Sequence, residues 1–202
     1  MTTATLTAAP SLAGLLRAPG ATRLSISAFL DGLDEEARLR EVRALPGGLQ
    51  RKLWDACAGA AVSLDEFVPS SLPEGQVLVY GGRNSLPLFS IFEKRFARVG
   101  GAVVGYNHSA VSGLIGPGYF TVEPGTGARA GELFFDYERV PATAPAGCPP
   151  VRANTSGLGK LVFGGLHDFC RRVAAGVVIG EATRRGKPMG SYFVLARSPG
   201  QR

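Results

Sequence analysis

The chain has 202 residues, 45% of them hydrophobic, 19% charged and 8% aromatic, a mixture that fits a globular domain and excludes a disordered or fibrous chain. A chain of this length buries about 70% of its unfolded-state surface, so it can build a core without disulfides or a structural metal. The net charge of +6 is scattered, and its longest clusters, Arg171-Arg172 and Arg184-Arg185-Gly186-Lys187, are too short for a polybasic arm, so nucleic acid is not an expected partner.

In chain order, residues 1–23 read as a mobile N-terminal arm, followed by one globular domain over residues 24–202. From Ser25, a candidate cap, Ile26, Phe29, Leu30 and Leu33 fall at helical spacing. Asp34 can cap a second helix, with Glu35 and Glu36 in its first turn and Arg40 and Arg43 in its last, signs that suit the helix dipole. After Pro46-Gly47-Gly48, a third segment places Leu49, Leu53, Trp54 and Cys57 on one face. These segments make a helical layer over residues 24–68.

Beyond Pro69, Gly-rich turns separate short β-branched and aromatic runs, which points to antiparallel strands over residues 74–198. The runs fall at residues 76–80, 102–106, 119–123, 132–140, 177–183 and 191–197. Gly81-Gly82-Arg83-Asn84 reads as a turn that needs positive φ angles. Leu88, Phe89, Phe92, Phe96 and Val99 have helical periodicity, and Lys94 and Arg95 within that stretch read as its solvated face. Residues 141–160, rich in Pro and Gly, read as a long loop. Residues 167–173 admit a helix or a strand, and in either form Asp168 can pair with Arg171 or Arg172. The expected fold class is α+β, an N-terminal helical layer packed on an antiparallel, barrel-like sheet.

Candidate chemistry lies in residues 132–140, in residues 106–119 and in the segment 167–173. In residues 132–140, alternation puts Leu133, Phe135 and Tyr137 on one side and Phe134, Asp136 and Glu138 on the other. An Asp among aromatics is either on a solvated face or in a cavity, where its pKa can rise enough for proton transfer. The polar, glycine-rich stretch Tyr106-Asn107-His108-Ser109, then Gly113, Gly116, Pro117, Gly118 and Tyr119, has the composition of a functional loop. His108 beside Ser109 invites a nucleophile–base pair, but there is no Gly-x-Ser-x-Gly elbow. The catalytic candidates are therefore His108, Asp136 and Arg172, with Tyr106, Asn107, Tyr119, Tyr137 and Asp168 as ligand-binding candidates. Asp136 and Arg172 are expected to line one cavity near the loop carrying His108. Cys57, Cys148 and Cys170 have no CxxC spacing, so neither a zinc site nor a disulfide framework is expected, and the default compartment is the cytoplasm.

The strand ending in Tyr137, the segment Asp168-x-x-Arg171-x-Val173, a strand through Val178-Ile179-Gly180 and the closing Tyr192-Phe193-Val194-Leu195 together resemble the end of lipocalin-like, or calycin-type, antiparallel barrels. The resemblance spans residues 102–197 and implies a central ligand cavity. Haem-binding relatives of that fold use a histidine ligand, but neither His108 nor His167 sits in a diagnostic context, so no cofactor and no metal are expected. The expectation is a small-molecule-binding barrel for an apolar or amphipathic ligand with an anionic or hydroxylated end. It would be a monomer or weak homodimer with neither membrane nor nucleic acid as partner. Two other classes fit the same sequence: a cofactor-independent lyase, isomerase or cyclase using acid–base catalysis, and an accessory protein that binds a peptide along a sheet edge.

Overall fold

The computed structural model describes residues 10–87, 90–108, 115–155 and 157–201. The helical layer begins earlier than residue 24. Ser11 caps α1 (Leu12–Arg17) by accepting from the Gly14 N–H, and Leu12 and Leu16 are buried. Thr22, rather than Ser25, caps α2 (Arg23–Asp31), while Ser25 closes the reciprocal half of a capping box. Asp34 caps α3 (Glu35–Ala44) through the Ala37 N–H, and α4 (Gly47–Ala56) follows Pro46. A single turn, α5 (Leu64–Phe67), leads into the sheet.

Eight strands pair antiparallel in sequence order and close into a barrel: β1 (Leu78–Asn84), β2 (Ile91–Val99), β3 (Ala102–His108), β4 (Phe120–Pro124), β5 (Leu133–Asp136), β6 (Leu166–Ala174), β7 (Val177–Arg184) and β8 (Lys187–Arg197). The closing pair, β1 with β8, runs from Tyr80–Arg197 to Asn84–Phe193. Among the described residues closure leaves no free sheet edge for a peptide to extend, so the edge-binding class loses its premise. The fold class is α+β, with α2 to α4 packed on the outside of β1 and β6–β8 and α1 packed on those three helices. Val177, Ile179, Val194 and Ala196 meet Leu12, Ile26, Leu30, Val42, Leu45 and Leu53 there. Inside, alternate residues of the strands supply Tyr80, Phe96, Phe120, Phe135, Phe193 and Leu195.

Two segments expected to be something else are strands. Residues 81–84 do not turn: neither Gly81 nor Gly82 has a positive φ. At Gly82 the backbone of β8 comes too close for a side chain, and at Gly81 two side-chain ends from α3 fill that space. A Cβ on Gly81 would sit 2.8 Å from Leu39 and from the Arg43 guanidinium on α3, and one on Gly82 would sit 2.4 Å from the Val194 carbonyl oxygen. The stretch expected to be helical is β2. Phe92 and Phe96 are four residues apart, a spacing that puts two side chains on one face of either a helix or a strand. Lys94 between them hid the alternation, because it occupies an inward position. Leu88 and Phe89 of that expectation lie outside the described residues. The ambiguous segment at residues 167–173 is a strand, and the loop over 141–160 ends in α6 (Gly157–Phe163).

The two ends of the barrel differ. One is plugged by α5 and the chain after it. Phe67 packs against Tyr80, Phe96 and Phe135, and the Tyr80 hydroxyl donates to the Phe67 carbonyl at 2.8 Å. Arg98 and Arg197 donate to the carbonyls of Pro69 and Glu66 respectively. At the other end α6 lies beside the opening. Phe163 stacks on Tyr137 with centroids 5.6 Å apart, and the Arg184 guanidinium donates to the Leu161 and Val162 carbonyls.

Candidate functional site

Between α6 and the strand ends lies a cavity of about 380 Å³. Its walls are mostly apolar, with Phe92, Ile115, Phe163, Leu166, Ala182 and Phe193 among the lining residues. Leu86, Val162 and Met189 also line it and are 51%, 36% and 44% exposed, so they mark its mouth.

At its inner end four polar side chains converge from four strands or their ends. Lys94 on β2 and Asp168 on β6 are each only 3% exposed. Lys94 Nζ donates to Asn107 Oδ1 at 2.8 Å, to the Tyr137 hydroxyl at 2.5 Å, and to Asp168 Oδ2 at 3.3 Å. The Tyr137 hydroxyl donates in turn to Asp168 Oδ2 at 3.0 Å. Asn107 is fixed by its amide, which donates to the Gly118 carbonyl, and Tyr137 by Asn154, whose amide donates to the Tyr137 and Tyr119 carbonyls. The rings of Phe92, Phe120, Phe135, Tyr137 and Phe193 surround the ammonium, with centroids 4.8 to 5.8 Å from Nζ. Such ring faces attract a cation when it is kept from water.

Burial acts on all three ionisable members in the same sense, against charge. It pulls the Lys94 ammonium below the usual lysine range, and the Asp168 carboxylate restores only part of that. It raises the Asp168 carboxyl, offset in part by Lys94 and by the Tyr137 hydroxyl bond. It holds the Tyr137 phenol well above its ordinary value, and the neighbouring Asp168 charge adds to that. The cluster is a set of groups among which a proton can pass over hydrogen-bond distances.

The sequence candidates separate into those inside and those outside this cavity. Asn107, Tyr137 and Asp168 line it. Asp136 does not: it faces outward on β5, where Oδ1 accepts from the Glu138 N–H at 2.8 Å and lies 3.4 Å from His167 Nε2. Arg172 does not either, since its Nε reaches Glu66 Oε1 at 2.5 Å near the plugged end. The expected Asp168–Arg pair is therefore replaced. Arg171 instead bonds Glu132 at 2.7 Å and stacks on Trp54, its guanidinium carbon 3.5 Å from the ring centroid. His108 is exposed at the end of β3, 6.4 Å from the Tyr106 ring. Tyr106 packs on Tyr119 at 5.1 Å, and the Tyr119 hydroxyl donates to the Pro149 carbonyl, so neither lines the cavity. Ser109 and Gly113 lie outside the described residues.

Two features escaped the sequence. Lys94 was placed on a solvated face. The signal that could have found it is the alternation Phe92, Lys94, Phe96, in which Lys94 shares the parity of two aromatics. The other is the convergence of Asp136, Glu138 and His167 on the outer face of β5 and β6, with ligand atoms within 4.8 Å of one another. It arises from the pairing of Asp136 with His167 across those strands, which no linear spacing encodes.

No family model, curated protein or solved structure matches the chain. Among the described residues no helix is long and apolar enough to cross a membrane.

Proposed function

We propose that this protein is a small-molecule-binding barrel that takes an apolar or amphipathic ligand in its cavity and orients one polar end against Lys94, Tyr137, Asp168 and Asn107. The observation that carries this reading is a buried polar cluster at the inner end of a mostly apolar cavity with a solvent-exposed rim. A volume of about 380 Å³ falls within the range of small-ligand pockets, which pair an apolar wall with a few polar groups that fix orientation. The apolar wall supplies affinity, and the cluster selects a ligand whose head can join the hydrogen-bond network without leaving a buried group unpaired.

Titration with the apolar fluorophore N-phenyl-1-naphthylamine tests this reading. Saturable, one-to-one binding is expected, and Ala182→Phe, which places a ring in the cavity, should abolish it while leaving the circular dichroism unchanged. Equal binding by parent and Ala182→Phe would reject the cavity as the site.

A second reading is favoured by the Lys94–Tyr137–Asp168 contacts. A chain of proton-sharing groups inside a ligand cavity also suits a cofactor-independent lyase, isomerase or cyclase. On that reading Tyr137→Phe reduces turnover by about 10²–10⁴-fold with ligand affinity largely kept, as the loss of a general acid does. On the carrier reading it weakens affinity instead.

A further inference from the structure

We infer, resting on the binding reading above, that the cavity takes a neutral apolar aldehyde or ketone and holds it covalently, as an imine on Lys94 Nζ with Asp168 as its counter-ion. Of the four lysines in the chain, Lys52, Lys160 and Lys187 are exposed, and Lys94 alone lies within the barrel.

Charge selects the ligand class. The cavity already holds one acid and one base in contact. A carboxylate ligand would bring a second negative group towards Asp168, and an ammonium ligand a second positive one towards Lys94. A neutral carbonyl adds no charge, and its polarised C=O can accept from the same donors that now bond one another. The apolar walls then exclude the bulk water that would hydrolyse the product.

The step balances without a redox partner. The Lys94 ammonium first passes one proton to Asp168, giving a neutral amine beside a carboxylic acid. The amine adds its lone pair to the carbonyl carbon, the C=O π pair moves to oxygen, which takes the Tyr137 hydroxyl proton, and Tyr137 recovers a proton from the nitrogen. From the resulting carbinolamine the C–O bond breaks, and the oxygen leaves as water with the proton held by Asp168. The nitrogen lone pair forms C=N, giving an iminium beside the Asp168 carboxylate. The remaining N–H proton passes to Asp168 when the imine is neutral. The net change is carbonyl plus amine giving imine plus water. Amines act as nucleophiles in this way when an apolar site keeps them uncharged, and burial acts on Lys94 in that sense.

Trapping tests the inference. The folded protein is incubated at pH 7 with trans-cinnamaldehyde and sodium cyanoborohydride, then examined by intact mass and peptide mapping. The expected result is one adduct per chain, heavier by the mass of the aldehyde less one oxygen, located at Lys94. It should form faster than at any exposed lysine, because burial holds the Lys94 ammonium below the usual lysine range and so keeps more of its amine neutral. Ala182→Phe, which keeps Lys94 and blocks the cavity, should lose the Lys94 adduct. So should the double variant Lys94→Met/Asp168→Leu, which removes the amine without stranding its partner.

Labelling confined to Lys52, Lys160, Lys187 and the amino terminus overturns the inference. If cinnamyl alcohol displaces the naphthylamine probe while no adduct forms at Lys94, the imine is wrong and the binding reading stands. If neither the alcohol nor the probe binds, both fall.

Discussion

The Lys94–Asp168 pair predicts a strongly non-additive double-mutant cycle. Both side chains are 4% exposed, and Nζ and Oδ2 are 3.3 Å apart. Lys94→Met leaves the buried Asp168 carboxyl with the Tyr137 hydroxyl as its hydrogen-bond donor among the described residues, and Asp168→Leu leaves the ammonium with the neutral Tyr137 and Asn107 as its partners there. Removing one member of a buried pair costs about 3–5 kcal/mol, so the two single changes sum to about 6–10 kcal/mol. Removing both strands no charge. What remains is the Tyr137 hydroxyl without its Asp168 acceptor and the loss of the Lys94 bond to Asn107 Oδ1, about 1–3 kcal/mol in buried hydrogen bonding. The coupling energy should therefore exceed about 3 kcal/mol. Urea unfolding of the four proteins, followed by far-ultraviolet circular dichroism at pH 7, measures it. Single-variant losses that add to within about 0.5 kcal/mol of the double-variant loss would show that the two groups do not sense one another, and the charge pairing assigned to this cluster would be refuted.

Three further outcomes follow from the packing. A Cβ on Gly180 would lie 2.1 Å from the Phe193 ring, which itself lines the cavity. Gly180→Ala should therefore lower stability by about 1–3 kcal/mol and drive the ring into the ligand space, weakening naphthylamine binding; unchanged affinity would contradict that placement. Burial pushes the Tyr80 hydroxyl up to about 12 from an ordinary value of 10. Below pH 10 it is protonated in both states and its contribution is fully present. Between pH 10 and 12 only the unfolded chain ionises, so roughly 3 kcal/mol should be lost there, and Tyr80→Phe should flatten that part of the stability profile. Burial also pushes the Cys57 thiol up to about 11 and holds Cys170 well above the ordinary value, whereas Cys148 is only half-buried. A disulfide reagent at pH 8 should label Cys148 quickly and the other two only at the rate of unfolding.

Local signals in the sequence were sufficient for the helical layer and much of the sheet. The Asp34 cap, the acidic first turn after it and the Leu49, Leu53, Trp54 stripe depend on neighbours within a few residues, and the observed helices keep them. The alternation of Leu133, Phe135 and Tyr137 likewise holds, with all three buried inside the barrel. That alternation already set Asp136 on the opposite parity, so its outward position was legible in the same run.

What the linear order withheld was partnership across the barrel. Asp168 has two arginines within four residues, yet its partner is Lys94, seventy-four positions away. Burial of the lysine itself depends on Phe92, Phe120, Phe135 and Phe193 arriving from four strands. Two glycines that resemble a turn are strand residues because α3 and β8 press against them. Propensity and capping act over a few residues and can be read from the chain directly. Which charge meets which, and whether it meets water, depends on strand register and barrel closure, so only the tertiary structure decides where the buried amine of this protein lies.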